Sequence, residues 1–197
     1  MSTLSDAELN AIVETIVHRT LHGQEARRID PPQPVPQESS KPGVSKIVAL
    51  GADHGGFKMK QMLASHLSEA GYQLIDCGTN STESVDYPDL ALAVAEKVSS
   101  GEAWRGILID GAGIGSCMAA NKVPGIRAAM CYDHATAVNS REHNDANVLT
   151  LGAGLIGDAL AQQIVDTWLK TEFGGGRHAR RVDKIMAIEK KNLKTGS

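Results

Sequence analysis

The chain has few aromatic residues, few cysteines and no excess of positive charge. Aromatic side chains make up 4% of its 197 residues, which is too few for the stacking surfaces that bind single-stranded nucleic acid. With 20 basic and 23 acidic residues, the formal net charge of −3 would not attract nucleic acid or anionic lipid. The 3 cysteines are odd in number and far apart, as in a reduced protein without a disulfide framework.

Long apolar runs are also missing. No stretch approaches the length of a membrane span, and the N-terminus lacks the cationic start, apolar core and cleavage site of a secretory signal. These absences predict a cytoplasmic protein that binds neither membrane nor nucleic acid. The length fits one α/β domain with a tail.

Proline is concentrated in one segment. Five of the 7 prolines lie between Asp30 and Gly43 (Pro31, Pro32, Pro34, Pro36 and Pro42). Gln, Ser and Glu separate them, and such a composition cannot form a packed core. We therefore expect an extended linker over residues 24–45, between an N-terminal element at residues 1–23 and a domain at residues 46–197.

The N-terminal element has the pattern of an amphipathic helix. Ser5 and Glu8 form a capping box, and Gly23 stands where the helix should end. Apolar residues recur at helical spacing and line one face: Leu9, Ile12, Val13, Ile16, Val17 and Leu21. A short helix is marginal alone in water, so this face needs a surface to cover. That surface is either the chain's own domain, a second copy of the chain, or another protein.

The third alternative has a precedent in known proteins. A short amphipathic helix on a Pro-rich tether resembles the encapsulation peptides that bring cargo enzymes into bacterial microcompartments. The resemblance implies that residues 4–21 bind a shell protein and that the protein lies inside a microcompartment. A membrane-surface helix is disfavoured because the polar face carries Asp6, Glu8 and Glu14 and is not Lys-rich.

From Lys46 onward, apolar strands alternate with helices. Strands are predicted at Ile47–Gly51, Gln73–Cys77, Gly106–Asp110, Ile126–Cys131 and Val148–Leu151. Helices are predicted at Phe57–Ala70, Pro88–Ser99, from the glycine turn to Lys122, and at Ala135–Glu142, Asp158–Lys170 and Ala179–Leu193. This alternation predicts a Rossmann-like three-layer αβα sandwich with a mainly parallel five-stranded sheet, preceded by the N-terminal amphipathic helix.

Chemically active residues follow several predicted strands. Ligands of parallel sheets bind beyond the carboxyl ends of the strands, where the sequence places Asp53-His54, Asp110 and Asp133-His134. The turn Gly111–Ser116 follows a strand and opens a helix. Its spacing, G-x-G-x-G, is not the dinucleotide fingerprint G-x-G-x-x-G. The glycines either meet a steric need or bring backbone N–H groups to an anion, such as an enediolate oxygen.

Two polar clusters lie elsewhere. His143 stands at the end of a predicted helix, in a cluster that includes Asn144. Arg177 and Arg181 follow a run of three glycines, and their spacing of four residues would place them on one side of a helix, where they could clamp a phosphate.

These stretches together resemble the type B ribose-5-phosphate isomerase family, which includes the two galactose-6-phosphate isomerase subunits. The similarity covers residues 46–190. The matching strings are Gly51-Ala52-Asp53-His54-Gly55-Gly56, Asp86-Tyr87-Pro88-Asp89, Gly113-Ile114-Gly115 with Ala119-Ala120-Asn121-Lys122, Pro124-Gly125-Ile126-Arg127-Ala128, Arg141-Glu142-His143-Asn144-Asp145-Ala146-Asn147 and Gly175-Gly176-Arg177-His178.

The resemblance implies an aldose–ketose isomerase that acts on a sugar phosphate through a cis-enediolate, without metal or organic cofactor. It implies ring opening and hydroxyl contacts by Asp53 and His143, and an anion hole at the amides of Gly111, Gly113 and Gly115. The other implied substrate contacts are His54, Arg177 and Arg181 to phosphate, and Tyr87 and Asn144 to the sugar. It also implies sites between two subunits of a homodimer or tetramer, with ribose 5-phosphate and ribulose 5-phosphate as the default pair. Other pentose, tetrose and hexose phosphates stay open.

The chain departs from the family where the base should be. Asp110 replaces a cysteine that is the base in many members, and Ala112 replaces a threonine. Ser116 stands where some relatives have a glutamate base, and Gly154 replaces a phosphate-binding arginine.

Two interpretations follow. In the first, Asp110 is itself the base, and burial would need to raise its pKa toward neutrality. Alternatively, the chain resembles the galactose-6-phosphate isomerase subunit that has Asp here and works beside a Cys-bearing partner. A non-enzymatic sugar-phosphate binding module is a third class.

Overall fold

The computed structural model describes Ala11, Glu14 and residues 46–193. Ala11 and Glu14 have helical backbone. The rest of the predicted N-terminal helix and the predicted linker lie outside the described residues, so both stay predictions.

Five strands and six helices alternate along residues 46–193. The strands are β1 (Ile47–Ala52), β2 (Gln73–Asp76), β3 (Arg105–Asp110), β4 (Ala128–Met130) and β5 (Val148–Gly152). The helices are α1 (Phe57–Glu69), α2 (Tyr87–Ser99), α3 (Ile114–Ala120), α4 (His134–Glu142), α5 (Asp158–Lys170) and α6 (Ala179–Asn192). Each predicted element is present, although β4 is shorter than predicted and α3 ends at Ala120, two residues before the predicted end.

All strand pairs are parallel, and the strand order is β2-β1-β3-β5-β4. The chain moves outward from β1 to β2 and then returns to place β3 on the other side of β1. This reversal makes a topological switch point between the carboxyl ends of β1 and β3, which is where ligands bind in such sheets. The predicted parallel αβα fold is confirmed.

Side chains alternate between the two faces of the sheet because successive residues of a strand point in opposite directions. Val48 and Leu50 of β1 pack with α1, α4 and α5 in one core, whereas Ala49 packs with α2 and α3 in a second core. Trp168 lies in the first core with 0% of its surface exposed to solvent, and its indole N–H donates to Ser140 Oγ at 3.1 Å. Two buried cores hold the sheet between helix layers, so the strand ends are rigid supports.

Candidate active site

The glycine turn after β3 requires its glycines at two positions. Gly113 has φ +78°, a left-handed conformation, and a Cβ there would lie 2.9 Å from the carbonyl carbon of Leu151. A Cβ on Gly115 would lie 2.5 Å from Cζ of Tyr87. Any other residue would therefore strain the turn or displace the tyrosine. The steric interpretation of these two glycines is supported.

The carboxylate of Asp110 accepts hydrogen bonds from this turn. Its Oδ1 accepts from the backbone N–H groups of Ala112, at 2.8 Å, and Gly113, and its Oδ2 accepts from the N–H of Ser116 at 2.9 Å. Asp110 is only 5% exposed. Burial raises the pKa of this carboxyl, but the Ser116 hydroxyl and the three N–H groups outweigh burial and hold the pKa below its usual value.

The lowered pKa of Asp110 is the opposite of what a carboxylate base would need. That role would need burial to raise the pKa toward neutrality, whereas hydrogen bonding lowers it. The amide of Gly113, expected to bind an anion of the substrate, binds the carboxylate of Asp110 together with the amide of Ala112. The sequence analysis missed this contact because it assumed that the anion bound by the turn belongs to the substrate.

A second carboxylate lies beside the first. The backbone N–H of Asp53 donates to the carbonyl of Ile109 at 3.1 Å, which joins the end of β1 to the end of β3. Asp53 Oδ1 accepts from the N–H of Gly56 at 2.9 Å, and within the described residues its Oδ2 has no hydrogen bond. The adjacent His54 accepts from the N–H of Val85 at its Nδ1, at 3.3 Å.

Tyr87 completes this end of the sheet. It is the first residue of α2, is 40% exposed, and lies against Gly115. We name these residues the carboxyl-edge group: Asp53, His54, Tyr87, Asp110, the turn Gly111–Gly115 and Ser116. The structure brings them together at the switch point, on elements that are far apart in sequence.

The other predicted site residues lie at the opposite edge of the sheet. Helix α4 leads from the carboxyl end of β4 back to the start of β5, so His143 and Asn144 lie at the amino edge. The segment before α6 reaches the same edge, because Gly174 N–H donates to the carbonyl of Glu142 at 2.9 Å. We name His143, Asn144, Arg177, His178 and Arg181 the amino-edge group.

Two imidazole rings organise the amino-edge group. The rings of His143 and His178 are stacked, with centroids 4.1 Å apart and an angle of 4° between planes. Desolvation, His143 and the two arginines, in that order, lower the pKa of His178. His178 is part of a string that matches the family, but the sequence analysis assigned it no role. No local pattern in the sequence predicts that the two rings stack.

The two arginines expected to bind phosphate are not both helical. α6 begins at Ala179, so Arg177 lies in the preceding turn and Arg181 lies on the helix. Gly175 and Gly176 before this turn have φ of +58° and +52°. Both arginine side chains are exposed, and their binding of phosphate stays a prediction.

The sheet separates the two groups within one chain. A strand of six residues such as β3 spans roughly 17 Å, which is longer than an open-chain pentose phosphate. Asp133 does not join either group, because its carboxylate caps α4 by accepting from the N–H of Thr136 at 2.7 Å. One copy of the chain does not bring all the predicted residues into one site.

Apolar side chains are exposed on elements next to the switch point and along the outer edge of the sheet. Ile114 and Met118 of α3 are 45% and 64% exposed, and Ile185 and Ile188 of α6 are 47% and 63% exposed. A groove with a volume of about 630 Å³ runs along the outer strand β4 and includes Met130 and Ile185. Exposed apolar area of this kind is typical of protein–protein contact surfaces.

Neither Cys117 nor a cluster of metal-ligating residues forms a further site in the described part of the chain. Cys117 lies one residue past Ser116, but its thiol contacts the carbonyl of Ala128 at 3.4 Å and burial raises its pKa. Among residues 46–193, no three His, Cys, Asp or Glu side chains come together as metal ligands would. None of the helices described here is long and apolar enough to span a bilayer.

Comparison with known proteins gives consistent results. A family model described as Ribose/Galactose Isomerase matches residues 48–185. Ribose-5-phosphate isomerase B of Escherichia coli K12 is 49% identical over 146 residues, which cover 74% of this chain and 98% of the relative.

Solved structures match over the same region. That of Clostridium thermocellum ribose-5-phosphate isomerase B is 58% identical, with a TM-score of 0.74 over 75% of this chain and 99% of the other. The Mycoplasma genitalium enzyme, solved with bound ribulose-5-phosphate, is 42% identical, with a TM-score of 0.73 over 76% and 99%.

Proposed function

Since the chain belongs to the ribose/galactose isomerase family, we propose that it interconverts ribose 5-phosphate and ribulose 5-phosphate through a cis-enediolate. The observation that carries this proposal is the carboxyl-edge group, which places two carboxylates, a histidine and a tyrosine at the switch point of the sheet. The similarity to isomerases that act on this pair, one of them solved with bound ribulose-5-phosphate, supports the choice of substrate.

The reaction needs a base next to the sugar carbonyl and donors for the oxygen that becomes negative. We assign ring opening to Asp53 and His143, phosphate binding to His54, Arg177 and Arg181, and hydroxyl contacts to Tyr87 and Asn144. The N–H groups of the turn at Gly111 and Gly115 line the place for the enediolate, because those of Gly113 and Ser116 already bind Asp110.

These assignments require two copies of the chain, because the sheet separates the carboxyl-edge and amino-edge groups. A homodimer, alone or within a tetramer, would bring the amino-edge group of one copy to the carboxyl-edge group of the other. The exposed apolar residues of α3 and α6 offer a surface for that contact, since burying them stabilises an assembly.

We assign the proton transfer at carbon to Asp110. A carboxyl with a lowered pKa is ionised at neutral pH, so it can accept a proton without first losing one. Its three N–H bonds make it a weaker base than a free carboxylate, and a slow proton transfer follows.

The same bonds favour a second candidate function. With both oxygens held by the turn, Asp110 can serve mainly to shape the loop. The chain would then be a subunit of low activity that requires a partner bearing the cysteine base.

Ketose formation from ribose 5-phosphate by the purified protein tests the two candidates. Activity in the wild type that falls about 100-fold or more in Asp110→Asn would support the isomerase. No turnover in either protein, with ribose 5-phosphate still bound, would favour the partner-dependent subunit or a binding module.

Ser116→Ala separates the base role from a loop-shaping role. It removes a hydroxyl that lowers the pKa of Asp110. A base would become stronger and turnover would rise a few fold, whereas a loop support would weaken and turnover would fall.

The N-terminal segment supports a separate proposal. Residues 4–21 bind a microcompartment shell protein, as their apolar periodicity and the Pro-rich linker suggest. Deleting residues 1–23 should keep the isomerase activity and abolish co-purification with a shell. Shell association that persists after the deletion would contradict the proposal.

A further inference from the structure

Asn139 lies one helical turn before His143 on α4 and contacts its ring. The side-chain nitrogen Nδ2 of Asn139 is 2.8 Å from Nδ1 of His143. Neither the sequence pattern nor the proposed function assigns Asn139 a role. Its contact decides which ring nitrogen of His143 carries the proton, and the two nitrogens have different chemical capacities.

The direction of this hydrogen bond follows from the neighbouring amide. Asn144 lies 3.1 Å from the backbone carbonyl of Asn139, and because a carbonyl oxygen only accepts, the facing group of Asn144 is its NH₂. The same NH₂ lies 3.1 Å from the side-chain oxygen Oδ1 of Asn139. Oδ1 of Asn139 therefore faces Asn144, which leaves its own NH₂ to face His143.

An NH₂ group can only donate, so Nδ1 of His143 must accept. A neutral imidazole that accepts at Nδ1 carries its proton on Nε2. The surroundings of Nε2 agree, since Oε1 of Glu142, an acceptor, lies 3.7 Å away. The His143 side chain is 38% exposed, and one face of its ring is covered by His178.

We infer that Asn139 is a positioning residue that holds His143 in the Nε2–H tautomer and so makes it a hydrogen-bond donor to the substrate. This inference rests on the proposed isomerase function. The charged or titratable groups around the stacked rings of His143 and His178 are Glu142, Arg177 and Arg181. Of these groups and Asn139, only Asn139 bonds to Nδ1.

The tautomer defines the chemistry of ring opening. As the bond between the ring oxygen and C1 breaks, its electron pair goes to the ring oxygen, which Nε2–H of His143 stabilises by donating a hydrogen bond. The hydroxyl on C1 loses its proton to the carboxylate of Asp53 and becomes the carbonyl. The Asp53 proton then passes through water to the ring oxygen, which restores the carboxylate and leaves the imidazole unchanged. His143 in the opposite tautomer would present an acceptor to the ring oxygen and could not stabilise its negative charge.

Nitrogen NMR of the full chain, labelled with ¹⁵N-histidine, tests the tautomer directly. Nδ1 and Nε2 have distinct shifts in the two tautomers, and His143→Gln identifies the signals of His143. We expect the neutral ring of wild-type His143 to carry its proton on Nε2. A ring protonated at Nδ1 would overturn the inference.

Two variants of Asn139 sharpen the test. Asn139→Leu has a similar shape and no donor, so both tautomers should appear, and kcat should fall about 10-fold. Asn139→Asp accepts where Asn donates, so the proton should move to Nδ1 and kcat should fall about 100-fold or more, with KM changed little. An unchanged tautomer in both variants would also overturn the inference.

The readouts keep the two proposals apart. Asn139 is exposed on α4, so its variants should fold. The NMR result does not depend on turnover. An Nε2–H tautomer that Asn139 controls, in a protein that does not isomerise ribose 5-phosphate, would reject the proposed function and keep the tautomer assignment.

Discussion

The carboxyl-edge and amino-edge groups are held in place by different kinds of contact. Asp110 and Asp53 at the carboxyl edge are 5% and 9% exposed, and backbone N–H groups bind both carboxylates. The amino-edge group consists of exposed or half-buried side chains, two of which, His143 and His178, stack on each other.

The difference teaches that the two halves of the proposed site respond differently to substitution. Changes at the carboxyl edge disturb a buried turn, so they should affect folding stability together with turnover. Changes at the amino edge remove exposed side chains, so they should affect substrate affinity or catalysis with little loss of stability.

The largest expected effect on turnover tests whether the carboxyl-edge group of one subunit works with the amino-edge group of the other. Asp53→Asn and His143→Asn should each lower turnover about 100-fold or more, because each removes a group assigned to ring opening. Unfolding and refolding a 1:1 mixture should then restore roughly a quarter of wild-type activity, because about half of the dimers are mixed and each has one intact site.

Each variant unfolded and refolded alone is the control for this experiment and should stay inactive. If the mixed sample also stays inactive while native mass spectrometry shows mixed dimers, the two groups do not share a site.

The next effect concerns stability at the carboxyl edge. Asp110→Asn cannot accept all the N–H bonds of the turn, and we expect it to lower the free energy of unfolding by about 1–3 kcal/mol at pH 7. Because the folded-state pKa of Asp110 lies below its usual 3.8, its stabilisation is present above that pH. It is lost as the pH falls through the lowered value.

Urea unfolding at several pH values between 7 and 3 measures this contribution. The variant should lack the part of the acid destabilisation that comes from Asp110. Equal stabilities of wild type and variant at pH 7 would show that the turn does not depend on this carboxylate.

The smallest expected effect on stability is at the amino edge. Arg177→Ala should raise KM about 10-fold, because a charge-assisted contact to phosphate is lost, and should change the unfolding free energy by less than about 0.5 kcal/mol. Arg180→Ala is the matched control, since Arg180 is also exposed and has no assigned role. Equal effects of the two substitutions on KM would argue against a phosphate contact at Arg177.

Much of the carboxyl edge was predictable from local sequence. Apolar runs of strand length that end in Asp53-His54 and Asp110 place these residues at strand ends, and the parallel sheet places strand ends together. The hydrogen bonds from the turn N–H groups to Asp110 were not predictable, because they depend on the backbone conformation of Gly113 and on burial of Asp110 by distant elements.

The amino edge was predictable only as a set of residues. Family strings identified His143 and Arg177, but their separation from Asp110 by the length of a strand depends on which strand and helix ends meet at each edge of the sheet. Asn139 lies four residues before His143, a spacing that places two side chains on one helix face, so a local signal for this pair existed and was overlooked.

The sequence by itself determined the order of strands and helices, the glycine turn and the family, because these depend on periodicity and on short local strings. Only the tertiary structure decided that the turn amides hold Asp110, that His143 stacks on His178, and that the site residues form two groups. Those features depend on contacts between segments far apart in the chain, whose geometry is set by the packing of the whole sheet and its helices.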